Sequence, residues 1–220
     1  MTELLPFLPD ASGRCVQNPE RTGTGEGYEM NAAVDITGVH LETEALILRS
    51  FEAADLQDFH AYARVPGVGE LAGWVHHSSL EESKEILDMF ISERKTLAIV
   101  EKKTGRVIGS VGIEPYDETC VGDEYRPLKC REIGYVLSRE YWGQGLMPQA
   151  VTGVLRYCFE ELQLDAVFCA CFRRNHQSRR VAEKTGFRQV CDLMLPTMYG
   201  TQEEAVLTVM HREDWAGRSS

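Results

Sequence analysis

Residues Tyr141-Trp142-Gly143-Gln144-Gly145-Leu146-Met147-Pro148 form a glycine-paired turn that runs without a break into a long apolar stripe. Met147, Ala150, Val151, Val154, Leu155, Cys158, Phe159 and Leu162 recur with the 3.6-residue period of one helix face. A stripe of that width has to be covered, and Arg131-Glu132-Ile133-Gly134-Tyr135-Val136-Leu137, rich in β-formers and immediately upstream, supplies a strand for it to cover. The predicted unit is strand, turn, helix, with Pro148 in the first helical turn, where its missing N–H is no loss. Two glycines bracketing one residue let several backbone N–H groups converge on an anion, and the helix adds the positive end of its dipole. The turn therefore reads as a phosphate site. A nucleotide P-loop is excluded, because no Gly-Lys-Ser/Thr follows.

The chain of 220 residues, 43% hydrophobic and 26% charged, suits one globular domain with a sizeable core. A formal charge of −11 argues against nucleic acid as a partner. No apolar run is long enough to span a bilayer and the start lacks a secretory signal, so no membrane association and a cytoplasmic location are expected. Seven cysteines without a framework fit reduced thiols. Cys169 and Cys171 alternate along a strand rather than forming half of a finger, and no metal is expected.

Residues 1–40, rich in Gly, Pro, Thr, Asn and Asp, read as a flexible extension; a domain over 41–216 and a tail at 217–220 follow. Predicted elements are a strand at 43–49, a helix at 53–62, and a helix from Ser79-Leu80-Glu81-Glu82, which has capping-box spacing, to about Arg94. Strands at 97–100 and 107–113 flank Lys103-Thr104-Gly105-Arg106, a turn of hairpin length. Beyond a polar segment, 114–129, come the strand and helix above. A strand at 166–172, a helix at 177–185 stopped by Gly186, and strands at 188–195 and 205–210 complete the chain.

Four segments in this order resemble the GNAT superfamily of N-acetyltransferases, particularly the branch of Rim-type ribosomal-protein N-acetyltransferases. They are Leu41-Glu-Thr-Glu-Ala-Leu-Ile-Leu-Arg49, Arg131 to Leu137, Trp142-Gly-Gln-Gly-Leu-Met147, and Asn175-His-Gln-Ser178 through Lys184-Thr-Gly-Phe187. The resemblance runs from about Leu41 to Trp215. It implies an α/β (α+β) fold in which a mixed, mostly antiparallel central sheet is flanked by helices in a single domain. Trp142 and Met147 fill the outer positions of the family turn, and Gln149 stands where the branch often has Glu.

The same resemblance implies acetyl-CoA as donor and direct transfer to a primary amine, with no metal. Its pyrophosphate would sit on the amides of Gly143, Gln144, Gly145, Leu146 and Met147, beside Trp142. Its pantetheine arm would pair with the backbone of Val136 and Leu137 and with Asn175. Arg173, Arg174, Arg179 and Arg180, clustered in an acidic chain, offer groups for the 3′-phosphate, Arg180 foremost; a solvated basic face is the alternative. Ser178 is expected as proton donor to the leaving thiolate, since Ala182 stands where many relatives have tyrosine. Glu132 is expected as the base, acting through water, or else as a structural carboxylate paired with Arg131. The Val136 N–H is placed to hold the oxyanion. Trp74, His76 and Tyr135 are expected to face the acceptor, and acidic residues at 81–88 and 117–124 to attract a cation.

The acceptor is read as a protein N-terminal α-amine. A small amine (amino sugar, polyamine or antibiotic) is the rival within enzymes, and a non-catalytic acyl-CoA sensor the rival outside them. Monomer and homodimer both stay open.

Overall fold

The computed structural model describes residues 31–217 together with the backbone of β1 (Phe7–Pro9) and β2 (Cys15–Gln17), which pair antiparallel. The remainder of the expected extension, and residues 218–220 of the expected tail, lie outside the described residues.

The main sheet has eight strands: β3 (His40–Glu42), β4 (Leu46–Ser50), β5 (Thr96–Glu101), β6 (Val107–Glu114), β7 (Cys130–Leu137), β8 (Ala166–Phe172), β9 (Arg188–Pro196) and β10 (Gln202–His211). Their spatial order is β3-β4-β5-β6-β7-β8-β10-β9. Every neighbouring pair is antiparallel except β7 and β8, which are parallel. The crossover between those two is α3 (Leu146–Arg156), extended by one π turn, Tyr157–Glu161.

Alternation along β5 shows how the sheet is covered on both sides. Leu97 and Ile99 join the cluster around α3, whereas Ala98 and Val100 join Phe59, Tyr62 and Leu87 from α1 (Leu56–Ala63) and α2 (Leu80–Glu93). On α3, Met147, Ala150, Val151, Val154 and Leu155 are all buried, as the sequence period predicts, and burying each large aliphatic side chain is worth about 1.5–3 kcal/mol. In contrast, α4 (His176–Thr185) buries only Ala182 and Thr185. Its position depends on its caps, Asn175 before it and Gly186, at φ +91°, after it. The short α5 (Arg212–Ala216) closes the chain.

Two expectations shift. The boundary at residue 40 moves back to about 31: Ile36 is 1% exposed in the α3 core, and Arg131 donates from Nε to the carbonyl of Ala32. Ala32, Val34 and Val39 pack against the same core, and the short alternation Ala32, Val34, Ile36 was the sequence signal available for it. At α2, the Ser79 side chain accepts from Glu82 N at 3.1 Å, but Glu82 returns its carboxylate to Ser78 N and Oγ rather than to Ser79. The box is closed one residue early.

Candidate active site

The parallel ladder between β7 and β8 is short. Cys130, Arg131 and Glu132 pair with Ala166, Val167 and Phe168, and no pair follows, so the strands separate beyond Glu132. At the next position of β8, Ala170 N–H donates instead to the Glu132 carboxylate at 3.3 Å. A side chain has taken the place of the next rung, which opens a gap in mid-sheet.

The gap leads into a cleft of about 320 Å³ lined by Val68, Leu71 and Ala72, by Tyr135 to Leu137, by Tyr141 to Gly143 and Gly145 to Pro148, and by the face of α4 from Asn175 to Lys184. The glycine turn forms one rim. Gly143 and Gly145 have φ of +76° and +77°, and a Cβ at either would meet nothing within 4 Å, so the left-handed backbone, not crowding, requires glycine there. Gly145 is also the N-cap of α3 and provides no side-chain cap, which leaves the first helical amides for another acceptor. Trp142 holds the turn to the end of β7, its indole N–H donating to Leu137 O at 2.8 Å.

Backbone direction on β7 follows from the ladder with β6. Ser138 N–H donates to Ile108 O at 2.7 Å, and hydrogen-bonded pairs alternate in an antiparallel ladder, so Val136 and Ser110 form such a pair. A Cβ on Gly109 would lie 2.3 Å from Val136 O, which confirms that this carbonyl points at β6. The polar backbone of Val136 is thus turned away from the gap; Tyr135 and Leu137 present theirs to it. This corrects the expectation that Val136 pairs with pantetheine or holds an oxyanion. A strand read alone shows where side chains alternate, not which neighbour its amides face.

Glu132 sits on the face of α1 and α2, directly across from Glu114 on β6. Burial pushes its carboxyl up to about 7; the negative charges of Asp117 and Glu114 add to this, and the Ala170 N–H opposes it. The expected alternative, a pair with Arg131, does not occur, because that neighbour lies on the other face and bonds to Ala32. Tyr135 also points to the opposite side, toward α4. Its hydroxyl donates to Ser178 O at 3.1 Å and accepts from Ser178 Oγ at 3.0 Å, with Cys169 Sγ at 3.9 Å. Tyr135 therefore faces the far side of the gap from Glu132. Burial raises its phenol well above the usual range.

Asn175 lines the cleft and is committed on both atoms: Oδ1 caps α4 through Ser178 N at 3.1 Å, and Nδ2 donates to Leu71 O at 3.0 Å. The four arginines separate, and Arg179 is not among the residues that line the cleft. Arg173 pairs with Asp192 and Glu204. Arg174 pairs with Glu203 and reaches Glu70 O at 2.6 Å and Tyr199 OH at 3.0 Å. Arg180 lines the cleft together with Lys184, one turn on, and neither has a carboxylate partner among the described residues. Lys184 was a missed candidate; its i, i+4 spacing from Arg180 was the available signal.

Trp74 and His76 are not cleft-lining. The Trp74 ring covers Gly69, and His76 Nδ1 is 2.7 Å from Glu70 Oε1. Burial would raise the Glu70 carboxyl, but hydrogen bonds from His76 and the backbone hold it at about 2. Val68, Leu71 and Ala72, from the same loop, form the wall instead. Much of the expected acidic approach is locally paired: Glu82 with Ser78, Asp88 with Lys84, Asp123 with Arg126 and Glu118 with Asn31.

The sequence profile described as the acetyltransferase (GNAT) domain matches residues 45–188. The chain belongs to the GNAT acetyltransferase family. The uncharacterized N-acetyltransferase YnaD of Bacillus subtilis is 27% identical over 156 residues, covering 69% of this chain and 84% of that protein. Among solved structures, a GNAT-family acetyltransferase from Bacillus anthracis superposes with a TM-score of 0.69 at 21% identity, over 80% of this chain and 99% of that one. The ribosomal-protein-S5-alanine acetyltransferase from Vibrio fischeri does so at 0.63 and 25%, over 80% and 98%. The protein is thus a GNAT N-acetyltransferase, and its mixed, mostly antiparallel sheet is the family fold. Acetyl-CoA is the family's co-substrate. The left-handed glycine pair with the uncapped α3 amides fits its pyrophosphate, the mid-sheet gap its pantetheine arm, and the Arg180–Lys184 pair its 3′-phosphate.

Proposed function

We propose that the protein moves the acetyl group of acetyl-CoA directly to the α-amine at the N-terminus of a protein. The observation that carries this reading is Glu132, a carboxyl tuned to about 7 at the mouth of the mid-sheet gap. An α-ammonium group, of pKa about 8, can pass its proton to such a base at a cost of about 1.4 kcal/mol; a lysine, near 10.4, requires about 4.6 kcal/mol. The base matches an α-amine. Tyr135 and Leu137 present backbone groups to the pantetheine arm, the amides from Gly143 to Met147 take the pyrophosphate, and Arg180 with Lys184 takes the 3′-phosphate. Glu132 receives the proton of the attacking amine on one face of the sheet. Two relatives support a ribosomal acceptor by their names: the Vibrio fischeri enzyme above and the Bacillus subtilis protein YdaF, called a putative ribosomal N-acetyltransferase, which is 39% identical over 56 residues, 26% of this chain.

Thiol release from acetyl-CoA tests the reading, with peptides of varied N-terminal residues, the same peptides blocked at the α-amine but carrying lysine, and a panel of amino sugars and polyamines. Release with free α-amines alone is expected. Release confined to the small amines overturns the protein-acceptor reading, and acetyl-CoA binding without release from any acceptor favours a sensor.

A further inference from the structure

We propose that Tyr135 is the proton source for the departing CoA thiolate, delivering its proton through the Ser178 hydroxyl. Both side chains line the cleft, on the face of the gap opposite Glu132, and their oxygens are 3.0 Å apart. Serine alone cannot end the step as donor. Its alkoxide is a far stronger base than a thiolate, so whatever proton Ser178 hands to sulfur has to be replaced as it leaves. Tyr135 is the hydroxyl within hydrogen-bond reach that can replace it; burial raises its phenol above the ordinary range, yet a phenol stays a stronger acid than the serine hydroxyl it reprotonates. Ala182, one turn further along α4, is 3% exposed in the core and offers no hydroxyl. In the resting arrangement Ser178 Oγ donates to Tyr135, and Tyr135 donates to the Ser178 carbonyl. Rotating both hydroxyls turns this closed pair into a chain from the phenol to the cleft.

The step balances as follows. Glu132 takes the proton that frees the amine and passes it to solvent; the amine nitrogen bonds to the acetyl carbonyl carbon and gives its second proton to Glu132, which again returns it to solvent; the carbon–sulfur bond breaks, its electron pair going to sulfur. Sulfur takes the Ser178 proton while Ser178 takes that of Tyr135, and the phenolate recovers a proton from solvent once the cleft opens. Free thiol and amide are the products. No oxidant or metal is needed. The relay lies on the donor side and works with whichever amine is acetylated.

Kinetics of Tyr135→Phe, Ser178→Ala and the double variant test this, with any acceptor that turns over. Each single variant is expected to lose about 100-fold in kcat, with the acetyl-CoA KM little changed, and the double variant to lose no more than the singles. A Tyr135→Phe enzyme with unchanged kcat, a loss confined to the acetyl-CoA KM, or losses that multiply in the double variant would each overturn the relay. Should Tyr135→Phe fail to fold, 3,5-difluorotyrosine at position 135 keeps the hydroxyl and its bonds while making the phenol more acidic. It should move the basic limb of kcat to lower pH; an unmoved limb counts against the proposal. A wild-type enzyme that releases thiol while these variants match it isolates failure of the relay from failure of the functional reading.

Discussion

The Glu132 carboxylate accepts the Ala170 N–H at 3.3 Å, just past Glu132–Phe168, the last rung of the parallel ladder. One side chain thereby stops the pairing of β7 and β8 and places a carboxyl at the mouth of the gap it opens. The burial that this requires raises the carboxyl to about 7, so the wedge and the proposed base are the same group.

Such tuning should be visible in stability. With its folded value near 7 and its ordinary value at 4.5, Glu132 binds more protons in the folded than in the unfolded state across that window. Stability falls as pH rises through it, by about 1.4 kcal/mol per unit and on the order of 3 kcal/mol in all. Glu132→Gln keeps an acceptor for Ala170 N–H and removes the penalty. Urea titrations should show the variant stabilised relative to wild type at pH 8 and little changed at pH 4.5; an equal effect at both would contradict the burial account.

Arg180 and Lys184 should act on one phosphate. Replacing both by alanine is expected to raise the acetyl-CoA KM about tenfold or more, consistent with losing charge-assisted hydrogen bonds worth about 1.5–3 kcal/mol. With acetyl-dephospho-CoA as donor, wild type and variant should be alike. An undiminished difference with the dephospho donor would place the 3′-phosphate elsewhere.

Gly145→Ala forces a side chain into φ +77°, which costs about 1–2 kcal/mol and distorts the turn. Gly105, at φ +73° on the β5–β6 turn with nothing within 4 Å of its Cβ position, is the matched control. Both variants should lose similar melting temperature, and only Gly145→Ala should lose acetyl-CoA affinity by calorimetry.

Arg174 holds the wall of the cleft from outside. It joins Glu70 O, Tyr199 OH and Glu203, while Met198 N donates to Gly73 O at 2.7 Å across the same seam. Arg174→Ala should raise the acceptor KM several-fold and leave acetyl-CoA binding intact, at a stability loss of only about 1 kcal/mol for so exposed a group. Arg174→Lys should not restore it, because an ammonium cannot fork between Glu203 and Tyr199.

What the sequence made legible is what depends on period and on turn chemistry. The α3 stripe, the glycine pair, β8 at Ala166–Phe172, Ser79 at the start of α2 and the stop of α4 at Gly186 all read directly, because each is a local pattern. Ala32, Val34 and Ile36 did not, since three alternating residues are too short a pattern to stand out in a Gly-, Asn- and Asp-rich stretch. Val136 lines the cleft, but its backbone groups were expected to face the gap because their direction is set by its partner Ser110, which a strand read in isolation does not contain. The contact of Tyr135 with Ser178 was not legible for a related reason: the face the two share is decided by how α4 packs. Trp74 and His76 carried recognisable side chains, yet Gly69 and Glu70 occupy them, and plain Val68, Leu71 and Ala72 line the cleft.

The most direct test of the account is the pH dependence of kcat/KM for an α-amine peptide, wild type against Glu132→Gln. The base must be ionised to act, so wild-type activity should rise through an acidic limb near pH 7. The variant should lose that limb together with about 100-fold or more in rate. A limb near 7 that survives in Glu132→Gln, with the rate intact, would contradict the assignment of Glu132 as the base.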